Sequence, residues 1–401
     1  MNDIYSALYE TISKSCIINT HSHHLSDDKF LNFSLNEVLR ESYINWSKVD
    51  FTDTEESRNA YLEKVRYNSY FVWLQKSLQD LYCFDEPITA ANWDDLSNRI
   101  QMAYQNPSHH IEILKRRCHY QKVIVDTYWD PGSDNGHPEL FFPTFRVDPF
   151  FYGYSQNKKD HDGNNANHLY GVLPNSLPGF IKFLHDKIVE KKEEGCVAIK
   201  AAIAYDRGLD IQPATEEQAS VVFQKTESEW TDQDIKHFQD YLFLRICEFA
   251  AELHLPLQCH TGMGQLKNTR PSALQYAIEK NPQTQFVLFH CGFPWTDDVN
   301  ALLHFFPNVY VDLCWLPILS PTVAERVIHE LIEVATADKI LWGCDTWTSE
   351  ESYGAFLAMR QVFSNAFTRK IENNYFSLDD AKNMIQKILH DNAQQLYFQS
   401  K

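Results

Sequence analysis

The chain has 401 residues, of which 44% are hydrophobic and 14% aromatic, and its 36 lysines and arginines against 54 aspartates and glutamates give a formal net charge of -18. This composition excludes intrinsic disorder and collagen-like order, and it allows one large barrel or two medium domains. The longest run of consecutive lysines and arginines has only three residues, 115–117. Because nucleic-acid binding depends on clustered cations that neutralise phosphates, we expect no nucleic-acid partner.

Cysteine usage and the apolar pattern indicate a cytoplasmic protein. Nine cysteines are spread along the chain without a CxxC pair, and an odd number cannot all pair internally. The first residues lack the basic and apolar regions of a signal peptide. No apolar run reaches the roughly 18 residues that a membrane span needs, so we expect no membrane partner.

Short apolar runs, typical of buried strands, alternate with longer amphipathic segments. The predicted strands are residues 16–20, 122–126, 140–145, 196–200, 256–260, 285–290, 309–313 and 339–343. The helices predicted between them include residues 177–193, 232–253, 271–280, 297–305, 321–336 and 350–371. Eight such units predict an α/β fold, a (β/α)8 TIM barrel. A doubly wound open sheet is the alternative, but no glycine-rich phosphate-binding motif follows any predicted strand.

Residues 25–115 are too long for one crossover, and their pattern of helical and aromatic residues predicts a helical insertion after strand 1. We interpret residues 1–401 as a single barrel domain that contains this insertion. Residues 151–170 and 206–231 are polar and predict loops, either of which could be a mobile lid. The sequence leaves the oligomeric state open, and a homo-oligomer is a common outcome for soluble enzymes.

Polar side chains stand at or just after the ends of five predicted strands. His21 and His23 follow strand 1, and strand alternation puts both imidazoles on one face. In a parallel barrel the carboxyl ends of the strands share one rim, which is where active sites lie. Imidazole and carboxylate groups there suit Zn²⁺ or a similar divalent metal, one or two per chain. The predicted ligands are His21, His23, Lys200, His260, His290 and Asp345.

This order of HxH, Lys, His, His and Asp resembles the amidohydrolase superfamily. Further segments resemble its amidohydrolase-2 branch, namely Ile199–Leu209, His260–Gly264, His290–Trp295, Gly343–Asp345 and Asn392–Tyr397. That branch includes uronate-isomerase-like proteins and the domain fused to glutamine synthetase in plant nodulins and fungal developmental proteins. The resemblance implies one or two divalent metals and a Lys200 that can be carboxylated to bridge them. Burial among cations favours the neutral amine, which reacts with CO2, whereas an unmodified Lys200 would pair with a substrate carboxylate.

The catalytic residues predicted within this set are Asp345, His290 and Lys200. Asp345 is expected to bind metal and to pass a proton from water to the leaving group. His290 either binds a second metal or polarises a substrate carbonyl.

Other residues just past the strand ends are candidates for substrate binding. Arg146 and Arg207 are candidates to hold a substrate carboxylate, since a guanidinium makes two-point contacts with such a group. Tyr205, Trp315 and Trp347 could line an aromatic pocket, as could Trp295.

Several neighbouring residues are predicted to be structural. Cys259, Cys291 and Cys344 should face the helix layer as small apolar groups. The pair His109 and His110 is predicted to lie on the surface of the insertion.

The leading functional hypothesis is a metal-dependent hydrolase of the amidohydrolase type, in which metal-bound hydroxide attacks a C–N or C–O bond of a small carboxylate-bearing substrate. The first alternative is a single-metal, uronate-isomerase-like isomerase or a non-oxidative decarboxylase, which the helical insertion and Arg146 favour. The second alternative is a non-catalytic barrel that acts as a sensor or scaffold.

Overall fold

A computed structural model of the protein describes residues 3–399, which form eight parallel strands surrounded by helices. The strands are β1 (Ile17–Ser22), β2 (Tyr120–Val125), β3 (Phe141–Arg146), β4 (Ala198–Ala201), β5 (Leu257–Cys259), β6 (Phe286–Leu288), β7 (Val309–Asp312) and β8 (Ile340–Leu341). Each strand pairs in parallel with the next one along the chain.

Backbone hydrogen bonds between β1 and the residues after β8 close the barrel. The Thr20 N–H donates to the Trp342 carbonyl at 3.3 Å, and the Asp345 N–H donates to the His21 carbonyl at 2.8 Å. The predicted TIM barrel is therefore confirmed.

The helices in chain order are α1 (Asp3–Lys14), α2 (Leu35–Arg40), α3 (Glu55–Val65), α4 (Ser69–Leu81), α5 (Trp93–Ala103), α6 (His109–Glu112), α7 (Ala166–Tyr170), α8 (Leu177–Glu193), α9 (Glu216–Gln224), α10 (Asp232–Glu252), α11 (Gln275–Lys280), α12 (Thr296–Phe305), α13 (Leu316–Leu319), α14 (Pro321–Val334), α15 (Ser349–Glu372), α16 (Leu378–Gln386) and α17 (Asn392–Phe398). Short 3₁₀ and π-helical turns join several of them. None of the helices within residues 3–399 is long and apolar enough to cross a membrane.

Side chains along the strands alternate between the barrel interior and the helix layer. The interior cluster contains Ile18, Ile124, Ala198, Val287 and Leu341, and the cluster under the helices contains Ile17, Val123, Ile199, Leu288 and Val311. Both faces of the sheet are thus apolar, which is why the strands appear in the sequence as continuous apolar runs. Leu396 and Tyr397 of α17 pack against the interior cluster and cover the amino-terminal end of the barrel.

The segment between β1 and β2 contains α2 to α6 and has an apolar cluster of its own. Phe33, Leu78, Trp93 and Leu96 are completely buried within it. The segment is anchored to the barrel by close packing of α4 on α15. The backbone of Trp73 approaches Gly354 so closely that a Cβ atom on residue 354 would lie 3.0 Å from the Trp73 carbonyl oxygen. This packing holds the chain around Tyr43 over the carboxyl ends of the strands.

Two predictions outside the barrel were wrong. Residues 206–231 are not a continuous loop, since a capping box of Thr215 and Gln218 starts α9, and Ala219 and Val222 are buried. His110 is not on the surface, because its ring is buried against Phe30. The prediction that Cys259, Cys291 and Cys344 face the helix layer is confirmed, since all three belong to the cluster under the helices.

Candidate metal centre

The closure of the barrel brings the HxH pair next to Asp345. The Asp345 N–H bonds to His21, and the His23 N–H donates to the Thr346 carbonyl at 3.0 Å. As a result, Asp345 Oδ1 lies 3.2 Å from His21 Nε2 and 3.3 Å from His23 Nε2. Asp345 Oδ1 is buried and accepts no hydrogen bond from any group within residues 3–399.

The tautomer of His23 is set by the main chain. Its Nδ1 lies 2.8 Å from the Asp126 carbonyl oxygen, and a carbonyl can only accept, so Nδ1 carries the proton. In the neutral ring, Nε2 then directs its lone pair toward the oxygen of Asp345. Two lone pairs that face each other in a buried site repel, and a cation between them removes that repulsion.

His260 and His290 meet in the same way. His260 Nε2–H donates to the Met263 carbonyl, His290 Nδ1 lies 3.2 Å from the Cys314 carbonyl, and His260 Nδ1 lies 3.0 Å from His290 Nε2. Two neutral imidazoles carry two protons, and both are used at the carbonyls. The two remaining nitrogens therefore present lone pairs to each other, which is the form in which imidazole binds a metal.

The electrostatics of the site keep its groups in the form of metal ligands. Burial lowers the pKa of His21 to about 3 and that of His290 to about 4, which favours the neutral form of both rings. Burial alone would raise the pKa of Asp345, but His21 and His23 hold it well below its usual range. Neutral imidazoles around an ionised carboxylate are a donor set that suits Zn²⁺ or a similar metal.

Lys200, at the end of β4, is buried beside these groups. Its Nζ lies 3.7 Å from the centre of the Phe289 ring. Burial lowers its pKa, and Asp126 opposes this effect. Desolvation thus favours the neutral amine, which is the form that can react with CO2.

Arg146, at the end of β3, faces the same site but is surrounded by carboxylates. Its nitrogens lie 2.8 Å from Asp126 Oδ2, 3.2 Å from Asp148 Oδ2 and 3.0 Å from Asp162 Oδ2. Burial would raise the pKa of Asp126, but Arg146 and then His23 lower it to about 2. The guanidinium is therefore already neutralised by side chains of the protein.

Comparisons with known proteins agree with this geometry. The sequence profile of the Amidohydrolase family matches residues 157–399, which is more than half of the chain. The chain belongs to the amidohydrolase family. Members of this family are metal-dependent, and two groups of candidate ligands lie at the rim of this barrel, namely His21, His23 and Asp126, and His290, Cys314 and Asp345.

Several proteins are similar to this amidohydrolase. Protein fluG of Emericella nidulans is 29% identical over 222 residues, which are 50% of this chain and 25% of fluG. The aligned region thus spans about a quarter of that relative. The uronate isomerase of Thermotoga maritima superposes with a TM-score of 0.79 at 17% identity and covers 99% of this chain and 98% of its own. A protein from Lactobacillus casei assigned as a metal-dependent hydrolase superposes with a TM-score of 0.72 at 18% identity, with 97% of both chains covered. At 17–18% identity, these two superpositions show that the fold is shared.

The amidohydrolase has a cavity of about 210 Å³ over these groups. Of the predicted site residues, it is lined by His21, His23, Arg146, Lys200, Tyr205, His260, Asp345 and Trp347. Trp315 lies behind the cavity, where it stacks on Tyr43 at 5.2 Å and meets the His290 ring edge-on at 5.2 Å. Arg207 lies outside the cavity. Its guanidinium pairs with Asp240 of α10 at 2.6 Å and donates to the Asp210 carbonyl at 2.9 Å. Trp295 also lies outside it, beside Arg270.

Sequence reasoning missed several residues of the site. Asp126 follows β2 directly, so the strand-end criterion that selected Lys200 would have found it. Four such residues line the cavity: Tyr43 and Trp46 belong to the insertion, and Tyr128 and His161 belong to loops. No pattern in the sequence places these four over the barrel, since loop and insertion positions depend on tertiary packing.

Proposed function

We propose that this amidohydrolase is a Zn²⁺-dependent hydrolase that adds water across a C–N or C–O bond at a carbonyl-type carbon of a small carboxylate-bearing substrate. One observation supports the proposal most strongly. His23, His260 and Asp345 line one cavity, and the pairs His23–Asp345 and His260–His290 each bring two lone pairs together without a proton between them. A divalent cation satisfies this arrangement.

The residues that would hold the metal are His21, His23, His260, His290 and Asp345. The cation supplies Lewis acidity, which polarises a substrate carbonyl and makes water more acidic. Lys200 distinguishes a one-metal from a two-metal site. As an ammonium it repels a second cation and can face the acid group of the substrate, whereas its carbamate is an anionic bridging ligand.

Asp345 is the proton carrier in this proposal. Its carboxylate remains ionised, because His21 and His23 offset the cost of burial. It can therefore accept a proton from the attacking water at a carboxylate oxygen and return that proton to the leaving group. Oδ2 lies 3.6 Å from His290 Nδ1, on the side away from the HxH pair.

Aromatic side chains shape the space for the substrate. Trp347 stacks on the His23 ring at 5.3 Å, and Tyr128 meets the same ring edge-on at 5.4 Å. Tyr43 packs edge-on against Trp347 at 4.8 Å. These rings exclude water from one side of the cavity, and the volume of about 210 Å³ restricts the substrate to a small molecule.

The proposal is tested first by counting metals. Protein purified without chelator is analysed by elemental mass spectrometry as wild type, His23→Ala, Lys200→Ala and the control His185→Ala, whose ring lies beside Glu252 on the helix layer. We expect zinc to be lost in His23→Ala and retained in the control. A loss of one equivalent in Lys200→Ala relative to wild type supports a carbamate bridge, whereas an unchanged count supports a substrate-binding ammonium. Equal zinc in His23→Ala and wild type would refute the proposal.

The reaction class is tested with a panel of amides, lactones and esters of small acids in H₂¹⁸O. Incorporation of one ¹⁸O atom into the product is the expected result. Conversion of a sugar acid or other carboxylate without ¹⁸O would refute hydrolysis and support the isomerase or decarboxylase alternative. If neither wild type nor Asp345→Asn converted any substrate of either panel, the scaffold alternative would replace both, whereas equal conversion by the two would refute the role of Asp345 as proton carrier.

A further inference from the structure

A second group of metal-ligating side chains lies outside the cavity. Asp27 follows β1, His110 lies on α6 at the end of the insertion, and His137 lies in the loop between β2 and β3. Asp27 Oδ1 lies 2.8 Å from His137 Nε2 and 3.3 Å from His110 Nε2. The three ligand atoms all lie within 4.8 Å of one another. Three segments that are distant in sequence therefore direct one carboxylate and two imidazoles at a common point.

The ring of His110 is held in a fixed orientation. Phe30 stacks on its face at 4.2 Å, with 16° between the planes. On its edge, His24 Nε2 lies 2.9 Å from His110 Nδ1, and the two rings are nearly coplanar at 8°. These contacts point His110 Nε2 toward Asp27, although the nitrogen is buried and forms no hydrogen bond within residues 3–399.

A hydrogen bond alone explains only part of this cluster. His137 Nε2–H can donate to Asp27 Oδ1 at 2.8 Å, which satisfies those two groups. It leaves Nε2 of His110 without a hydrogen bond within residues 3–399, although the His110 side chain is only 1% exposed. Buried polar atoms without partners are uncommon, and an ion that binds there is one of the recognised explanations.

We propose that Asp27, His110 and His137 form a second, structural site for a divalent cation of the Zn²⁺ type. Zn²⁺ takes nitrogen and carboxylate ligands at about 2.0–2.2 Å, so neighbouring ligands of a tetrahedral ion are separated by roughly 3.3 Å. The separation of 3.3 Å between Asp27 and His110 matches this value. If His110 donates its Nδ1–H to His24, its Nε2 lone pair is free for the metal, and ligating histidines commonly donate their other ring N–H in this way.

The position of the site suggests its role. His110 belongs to the end of the insertion, whereas Asp27 and His137 belong to loops at the carboxyl ends of β1 and β2. A cation here would hold the end of the insertion to the barrel. The Asp27 side chain is 60% exposed, so the ion has an entry path and solvent can supply the fourth ligand.

The test counts zinc at this site independently of the candidate metal centre. Chelator-stripped full-length protein is reloaded with Zn²⁺, desalted and analysed by elemental mass spectrometry, in the wild-type chain and in an Asp345→Asn background. His137→Ala and Asp27→Asn are each expected to lose one equivalent of zinc per chain in both backgrounds. His185→Ala is the matched control, since that ring is 28% exposed, lies 3.2 Å from Glu252 and belongs to no cluster of three candidate ligands within residues 3–399. It should lose none.

Thermal unfolding provides the second readout. Zn²⁺ should raise the Tm of the Asp345→Asn chain, and His137→Ala should remove that increase. His137 is 22% exposed and Asp27 60% exposed, so neither substitution opens the core. Unchanged zinc content in both His137→Ala and Asp27→Asn would overturn the proposal, as would a Zn²⁺-dependent Tm increase that both variants retain.

Discussion

The variant Arg146→Ala tests whether Arg146 stabilises the fold or, as the sequence predicts, binds the substrate. The guanidinium is 5% exposed and contacts the carboxylates of Asp126, Asp148 and Asp162. Asp126 and Asp148 are completely buried. In Arg146→Ala these two carboxylates would remain in the interior without their cation.

The expected cost follows from this burial. Breaking a buried ion pair from one side costs about 3–5 kcal/mol, because it leaves an uncompensated charge. We expect Arg146→Ala to lower the free energy of unfolding by that amount at pH 7.5. Burial already raises the pKa of Asp148 to about 6 against the opposing effect of Arg146, so loss of the arginine raises it further. The carboxyls then become neutral as the pH falls, and the cost should shrink toward pH 4.

The assay is urea unfolding of wild type and Arg146→Ala, followed by circular dichroism at pH 7.5 and pH 5. Arg270→Ala is the matched control, since Arg270 is 55% exposed and pairs with Asp298 at 2.6 Å. The arginine of this pair is open to solvent, so its loss should cost much less than the loss of Arg146. The reasoning would be refuted if Arg146→Ala cost no more than Arg270→Ala. A large increase in KM with unchanged stability would instead support the role predicted from the sequence.

Three further predictions concern the site and the strands below it. Asp345→Asn should lower kcat about 10²–10⁴-fold through loss of the proton carrier, while Asp338→Asn, at an exposed position, should have no effect in the same assay. In urea unfolding, Gly262→Ala should be at least about 1 kcal/mol more destabilising than Gly163→Ala. The two glycines have nearly the same φ, +82° and +81°, but only at Gly262 would the new Cβ lie 2.0 Å from a carbonyl oxygen. Burial raises the pKa of Asp312 to about 6, although the hydrogen bond from Thr20 opposes this shift. The protonated carboxyl therefore stabilises the folded state fully below about pH 4, and the free energy of unfolding falls by about 3 kcal/mol as the pH rises through 6. Urea titrations at several pH values should therefore show Asp312→Asn gaining stability relative to wild type between pH 4 and pH 7, and a constant difference would contradict the assignment.

The barrel could be predicted from the sequence because its strands are buried on both faces. Each of the eight apolar runs overlaps an observed strand, since a covered parallel sheet requires apolar residues at successive positions. The helix predicted at residues 177–193 coincides with α8, which begins after Ser176 and ends before Gly195. By contrast, α9 was missed, because only two of its residues are buried and its apolar face is short.

The site could be predicted only where its residues follow strand ends. That criterion places Lys200 and His260 on one rim, and the structure brings them into one cavity. It fails for Arg207, because the chain turns after β4 and Asp240 of α10 binds the guanidinium. It also fails for Tyr43, whose position depends on how the insertion packs against α15. Pairings between distant elements of this kind have no local signal.

The hydrogen bonds that prepare the ligands are the part that no side-chain motif could reveal. The proton on His23 is fixed by the carbonyl of residue 126, and those on His260 and His290 by the carbonyls of residues 263 and 314. A main-chain carbonyl can accept such a hydrogen bond whatever side chain its residue carries, so the sequence contains no signal for it. The motif in the sequence therefore indicates which residues are candidate ligands of the proposed cation, whereas the fold determines which nitrogen of each ring presents a lone pair.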